Sequence, residues 1–188
     1  NSPEVERIPV KSIDPSRDQA KLVFHDARAE ELGDQVNGNI ILETVYDRAA
    51  ILFAWEQVGG SDMALNMAKA YAMERFAFGR PIASFQAIKH KLADVYVKNT
   101  LARSNCYYGA WAISTNSEEI STAAAAARLS STQAFYFSSK ENIQTHGGMG
   151  FTWEFDCQIP YRRARLLAGN IGSEATWQEK LISSIEAN

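Results

Sequence analysis

From residue 40 to about residue 75 the chain contains no proline and repeats apolar side chains at helical spacing: Ile51, Leu52, Trp55 and Val58, then Met63, Leu65, Ala68, Tyr71 and Ala72. One long helix is predicted there. Gly59-Gly60 weakens it, each glycine costing up to about 1 kcal/mol relative to alanine, and a close helix–helix or cofactor approach would account for the pair. A second helix is predicted from near Ser84, read as its N-cap. It presents Phe85, Ile88, Leu92, Val95, Tyr96 and Ala102 on one face, with Lys89, Lys91, Asp94 and Lys98 mostly off it. Thr115-Asn116-Ser117 breaks the pattern, and Ser117-Glu118-Glu119-Ile120 restarts it. The third helix runs through the alanine tract 123–127, read as a close-packing face, to about Ile143. Shorter helices are predicted from about Asp156 to Leu167 and from about Ser173 to Ile185. Long helices with short connections predict an up-and-down, four-helix-type bundle.

The first 36 residues read differently. Val5, Ile8 and Val10 sit among polar residues, Asp14-Pro15-Ser16 forms a turn, and Leu22-Val23-Phe24 is a short β-favouring run. So few strands do not make a stable sheet alone. Residues 1–36 are therefore expected to be the tail of a β domain, and residues 37–188 the helical bundle domain. The polar, glycine-containing stretch 33–39 between them reads as a linker. The fold class is mainly α: a bundle preceded by a few strands. With no initiator Met and no signal-peptide pattern at Asn1-Ser2-Pro3-Glu4, the chain is expected to be incomplete at its N-terminus and cytoplasmic.

Composition narrows the function classes. At 188 residues the chain can fill one domain, or one domain and part of another. A formal net charge of −3 gives no basis for a nucleic-acid or anionic-membrane partner. Charged residues interrupt every apolar run before it reaches a spanning length. Cys106 and Cys157 form no metal-ligand pattern and read as small buried residues of a reducing compartment.

The chemistry is concentrated in two breaks. In the first, Arg75 and Arg80 bracket Phe78-Gly79, and Pro81 forces the chain out of its helix. A guanidinium there either binds phosphate bidentately or is a solvated charge at a helix C-terminus. In the second, Gly147-Gly148 and Gly150 either let the backbone approach a ligand or simply stop a helix.

Together the two breaks resemble the flavin-dependent acyl-CoA dehydrogenases. The stretch from Tyr71-Ala72 through Arg75, Phe78-Gly79, Pro81-Ile82 and Phe85-Gln86 to Leu92-Ala93-Asp94 is similar to the family pattern Y-A-x-x-R-x-x-F-G-x-P-I-x-x-F-Q followed by L-A-D/E. Gln144, Gly147-Gly148, Gly150-Phe151 and Glu154 resemble its Q-x-x-G-G-x-G-Y/F-x-x-E, leading into Arg163-Ala164-Arg165 where the family has R-D-A-K. Ile13-Asp14-Pro15-Ser16-Arg17 and Leu22-Val23-Phe24 look like the end of that family's middle β domain, so the resemblance covers nearly the whole chain. It implies an FAD site shared between subunits. Arg75 and Phe78 would contact the diphosphate and adenine end, and Gln86 would add a polar contact. Gln144, Gly147 and Gly148 would line a neighbouring subunit's cofactor, while Phe85 and Ser173 complete the implied contact set. It further implies an acyl-CoA substrate, a homo- or hetero-tetramer of homologous subunits, and electron-transferring flavoprotein as acceptor.

The resemblance fails at the catalytic base. Members of the family remove the acyl α-proton with a glutamate, and the ungapped match places Ile171 at that position. An alternative base position, in an E-R pair on the first long helix, falls on Ala49-Ala50. Asp47 is turned about 200° from Ala49, and Glu174 lies three residues past Ile171 beyond Gly172; both are weak candidates for a substitute. Glu43 and Glu56 read as solvated helix charges, and His146 as loop structure. Tyr107, Tyr108, Trp111, Phe135, Tyr136 and Phe137 read as core and oligomer interface. Trp177, where the family has a smaller polar residue, is expected near the cofactor of an adjacent chain. The implied function is that of a subunit or fragment of an FAD-dependent acyl-CoA dehydrogenase without its catalytic glutamate. The alternative is a non-catalytic subunit that stabilises a hetero-oligomer.

Overall fold

The computed structural model describes residues 3–33 and 37–186. Strand β1 (Val5–Val10) pairs antiparallel with β2 (Gln19–Phe24), Val5 opposite Phe24 and Val10 opposite Gln19. The connection folds around Asp14, whose Oδ1 accepts from the Ser16 amide at 2.9 Å and the Ser16 hydroxyl at 2.6 Å. The ribbon is held to the helices by Arg163, which reaches Asp14 Oδ2 at 3.2 Å, and by Arg162, which donates to the Ile13 carbonyl at 3.1 Å.

Five helices follow: α1 (Gly38–Glu74), α2 (Gln86–Thr115), α3 (Ile120–His146), α4 (Gln158–Leu167) and α5 (Glu174–Glu186). Helices α1 and α2 run antiparallel, as Gly109 against Ile51 and Asn99 bonded to Asp62 require. Helices α1 and α3 run parallel, since Gln57 meets Thr132 and Ser138 bonds the Ser61 carbonyl. Helix α5 packs on α3 and completes the bundle.

Several predicted boundaries move for local reasons. Ser84 does not cap α2. It ends a 3₁₀ turn (Ile82–Ser84), its hydroxyl donates to the Pro81 carbonyl at 2.7 Å, and the helix starts at Gln86. Helix α3 continues three residues past Ile143 to His146. The predicted linker falls partly on 34–36, outside the described residues, and Gly38 and Asn39 are already helical.

The predicted faces also shift, because the seam between helices is built from small residues. Ala50, Ala54, Ala64 and Ala72 of α1 and Ala123, Ala124, Ala125 and Ala127 of α3 are wholly buried, as the alanine tract led us to expect. Leu52, Met63 and Tyr96 instead point outward, with 68%, 45% and 62% of their surface exposed. Small side chains let helix axes approach, and Gly60 makes room for the Phe135 ring. A Cβ there would lie 2.7 and 2.9 Å from Cε2 and Cε1 of Phe135, whereas nothing comes within 4 Å of one at Gly59. Close helix packing, not a cofactor, explains Gly60.

One cation crosses this seam. Arg128 is 1% exposed; Nη1 donates to Gln57 Oε1 at 2.8 Å, and Nη2 donates to the Leu167 carbonyl at the end of α4. Burial pushes its guanidinium down to about 10, so it stays charged at neutral pH. Cys106 and Cys157 are buried and unpaired, and burial pushes the Cys106 thiol up to about 12. No helix among the described residues is long and apolar enough to cross a membrane.

Candidate functional site

The first loop leaves α1 at Arg75, whose amide donates to the Tyr71 carbonyl at 2.8 Å before the backbone turns extended. Strands β3 (Phe76–Ala77) and β4 (Arg80–Pro81) form a two-residue hairpin whose turn, Phe78-Gly79, has φ of 53° and 76°. Two positive φ values match the right-handed twist of a hairpin. Glycine takes the second without cost, but Phe78 bears strain at the first. Its ring is 95% exposed, so packing within this chain does not explain the residue. The Arg80 guanidinium lies 4.1 Å from the centroid of Phe85, whose ring meets Phe78 edge-on at 6.3 Å. Gln86, exposed in the first turn of α2, hydrogen-bonds His90 Nε2 at 2.9 Å.

The second loop begins where α3 ends. Gly147 has φ 60° and ψ −135°, and it and Gly148 have nothing within 4 Å of where a Cβ would stand. With Gln144 they form an exposed strip of backbone and amide. His146 belongs to the helix rather than to the loop. It is buried, its Nδ1 bonds the Asn142 carbonyl at 2.8 Å, and its ring stacks on Tyr71 at 4.2 Å with Phe155 across both. That stack ties the two loops to one end of the bundle. Sequence reading missed it because a histidine 75 positions from its partner has no local signal.

The implied base positions lie elsewhere. Ile171 sits in the connection between α4 and α5 and packs against a cluster of Ala50, Ile51, Ala124, Ala125 and Trp177. The ≈ 350 Å³ cleft beside it is lined by Tyr46, Asn170, Ile171, Gly172, Thr176, Trp177 and Lys180, with no carboxylate among them. Trp177 is 4% exposed within its own chain, and its indole donates to the Ile171 carbonyl at 3.2 Å. It fills space inside this bundle and also lines that cleft.

Neither weak candidate reaches that cleft. Asp47 is buried beside Lys180 Nζ at 2.5 Å and lines a neighbouring cleft with Glu43, Thr44 and Ser121. Burial pushes its carboxyl above the ordinary range, and Lys180 and Ser121 oppose the shift without cancelling it. Glu174 turns toward α3, accepting from Gln133 Nε2 at 2.6 Å. Ser173 begins α5: its Oγ accepts the Thr176 amide at 3.2 Å, as an N-cap does. Glu56 is not a solvated charge, since Arg163 binds it from α4. Phe135 is core, while Tyr107 and Trp111 are 63% and 47% exposed.

The structure thus gathers Arg75, Phe78, Phe85, Gln86, Gln144, Gly147 and Gly148 at one end, and Asp47, Ala49, Ile171, Ser173 and Glu174 toward the other. The 24 positions of α1 from Asp47 to Tyr71 span about 36 Å of helix axis.

A helical bundle with these two loops at one end matches the family profile "Acyl-CoA dehydrogenase, C-terminal domain" over residues 38–183. The chain belongs to the acyl-CoA dehydrogenase family. Acyl-CoA dehydrogenase IpdE2 of Mycolicibacterium smegmatis is 43% identical over 126 residues, which is 67% of this chain and 39% of that protein. Acyl-CoA dehydrogenase FadE34 of Mycobacterium tuberculosis is 34% identical over 185 residues, 98% of this chain and 25% of that protein. The butyryl-CoA dehydrogenase structure from Megasphaera elsdenii superposes with a TM-score of 0.93 at 24% identity, covering 98% of this chain and 49% of that one. The chain therefore spans less than half the length of these relatives.

Proposed function

We propose that this chain is the bundle portion of an FAD-dependent acyl-CoA dehydrogenase subunit that helps hold a shared flavin but supplies no base for the thioester α-proton. The observation that carries this reading is the cleft beside Ile171, which no carboxylate lines. FAD, when bound, supplies the acceptor for the β-hydride. The residues present fit such a group. Arg75 offers a fork-like cation for the diphosphate, and the strained, 95% exposed Phe78 ring offers a face for adenine. Gln86 and the Arg80-backed Phe85 extend that contact, and the open backbone of Gly147-Gly148 with Gln144 lines the cofactor of a neighbouring subunit. Ser173 stands at the other end, beside the implied base position.

The placement of the two groups toward different ends of the bundle supports sharing. Each chain's loops would then serve a site whose reacting end belongs to another chain. On this reading β1 and β2 close a middle β domain, with the boundary to the bundle near residues 36–37, and the cytoplasmic enzyme passes electrons to electron-transferring flavoprotein. The base would come from a homologous partner chain.

The test is co-expression of the full-length protein, with and without its homologous partner, measuring flavin per protomer and acyl-CoA oxidation. Arg75→Ala should lower flavin retention in the assembled protein. Acyl-CoA oxidation at ordinary family rates by the purified protein without a partner would refute the missing base. Flavin retention unaffected by Arg75→Ala would favour a purely structural subunit.

A further inference from the structure

Ala50 and Ile171, 121 residues apart in sequence and both read above as departures from the family pattern, come together in one cluster with Trp177. Ala50 is wholly buried and packs in one cluster with Trp177, against which Ile171 rests. The Trp177 indole N–H donates to the Ile171 carbonyl at 3.2 Å. Between them Gly172 adopts φ +113°, and a Cβ there would stand 3.3 Å from the indole nitrogen. Lys180 Nζ lies 5.6 Å from the indole centroid and 2.5 Å from Asp47, so an ion pair flanks the ring.

We propose that Trp177 is a positioning residue that has closed the base site. It occupies the volume into which a longer polar side chain at position 50 would project, and its N–H pins the turn 170–172 so that Ile171 stays packed on the core. The geometry makes this a coupled rebuilding rather than three separate losses. A zero-exposure alanine in the same cluster as the indole leaves no room for a larger residue unless a neighbour yields. Writing Glu and Arg back at positions 49 and 50, or Glu at 171, therefore does not reopen the site while Trp177 remains. The inference rests on reading Ala49-Ala50 and Ile171 as vacated base positions. Its consequence for packing can be measured without flavin or substrate.

A double-mutant cycle on the full-length protein tests it, using Ala50→Arg, Trp177→Gln and the pair, each unfolded in urea. Ala50→Arg alone should raise the unfolding constant sharply. The pair should fall at least about tenfold short of the product of the single effects, because the space is now shared out. Single effects that multiply within about twofold would mean Trp177 does not hold that space, and the proposal falls. If Ala50→Arg prevents folding, Ala50→Leu completes the same cycle. The pin is tested separately with Trp177→Phe, which keeps most of the ring but has no N–H. Amide exchange at 170–172 should speed up at least about fivefold, with exchange in the middle of α3 unchanged. Unchanged exchange at 170–172 would remove the pin. A full-length protein that proved active alone would overturn the functional reading above and leave these measurements as they stand.

Discussion

Gly59 and Gly60 stand side by side in α1, and substituting each with alanine should change stability in opposite directions. Both glycines are mid-helix, so each Gly→Ala change gains about 0.8–1 kcal/mol of helix propensity. At Gly59 that gain stands alone, since nothing lies within 4 Å of the new Cβ. At Gly60 the new methyl would run into Phe135, with Cε2 and Cε1 at 2.7 and 2.9 Å and Cζ nearer still. The ring cannot swing away cheaply, because Phe135 is 1% exposed and wedged among Ala164, Leu167 and Phe53. Overpacking a well-filled core costs about 1–3 kcal/mol. Gly59→Ala should therefore stabilise by about 0.8–1 kcal/mol. Gly60→Ala should fall about 1–3 kcal/mol below it and end neutral to destabilised by about 2 kcal/mol. Urea denaturation followed by helical circular dichroism, with the slopes held equal, measures the gap directly. A Gly60→Ala protein as stable as Gly59→Ala would refute the close packing of α1 on α3 at this point.

Two carboxyls should respond to pH with opposite signs. Burial pushes Asp14 up, but Ser16 and Arg163 outweigh it and hold it below the ordinary range, so its contribution is present above about pH 4 and lost as pH falls further. The cost of Asp14→Asn should thus be largest at pH 7 and shrink toward pH 3, read as amide exchange in β1 and β2. Asp47 is held above the ordinary range, mainly by burial, so its contribution is fully present at low pH and lost as pH rises through that raised value. The cost of Asp47→Asn should therefore shrink from pH 4 to pH 7 in urea titrations. Arg128→Met should cost less than about 2 kcal/mol, since burial already penalises the guanidinium and the thioether fills its volume, while Arg128→Ala adds a cavity and should cost more than about 3 kcal/mol. Phe78→Asn should leave stability unchanged or raise it by up to about 1 kcal/mol, because asparagine tolerates the left-handed backbone, yet lower the flavin content of the assembled protein.

Helix number, order and approximate extent were legible because the signals are local: proline and glycine punctuation, and apolar residues recurring at about 3.6 positions. The buried face was not. Large apolar residues such as Leu52, Met63 and Tyr96 dominate any reading of hydrophobicity, yet alanines and a glycine make the seam because close axes exclude bulk. Ser84 looked like a cap in composition, but Pro81 supplies a carbonyl three residues back and captures its hydroxyl first. The two loops of the candidate site were legible as motifs. Their joining through Tyr71 and His146, the span of Arg128 from Gln57 to Leu167, and the clustering of Ala50 with Trp177 were not. Each is a contact between residues distant along the chain, which periodicity does not encode.

On the function proposed above, the decisive question is why a nearby carboxylate does not replace the missing glutamate. A general base needs an ionised carboxylate within hydrogen-bond reach of the α-carbon proton. Asp47 fails on position: its side chain is committed to Lys180, in the cleft behind the one that Ile171 lines. Reaching the other cleft would mean giving up the Lys180 ammonium 2.5 Å away. Glu174 fails on direction, being drawn by Gln133 toward α3. Glu56 is spent on Arg163, which with Asp14 fastens the strands to the bundle. Asp47, Glu174 and Glu56 are each already engaged with another helix, so recruiting one of them would exchange structure for chemistry. A partner chain that keeps its own glutamate avoids that exchange, which is the physical reason to look for the base there.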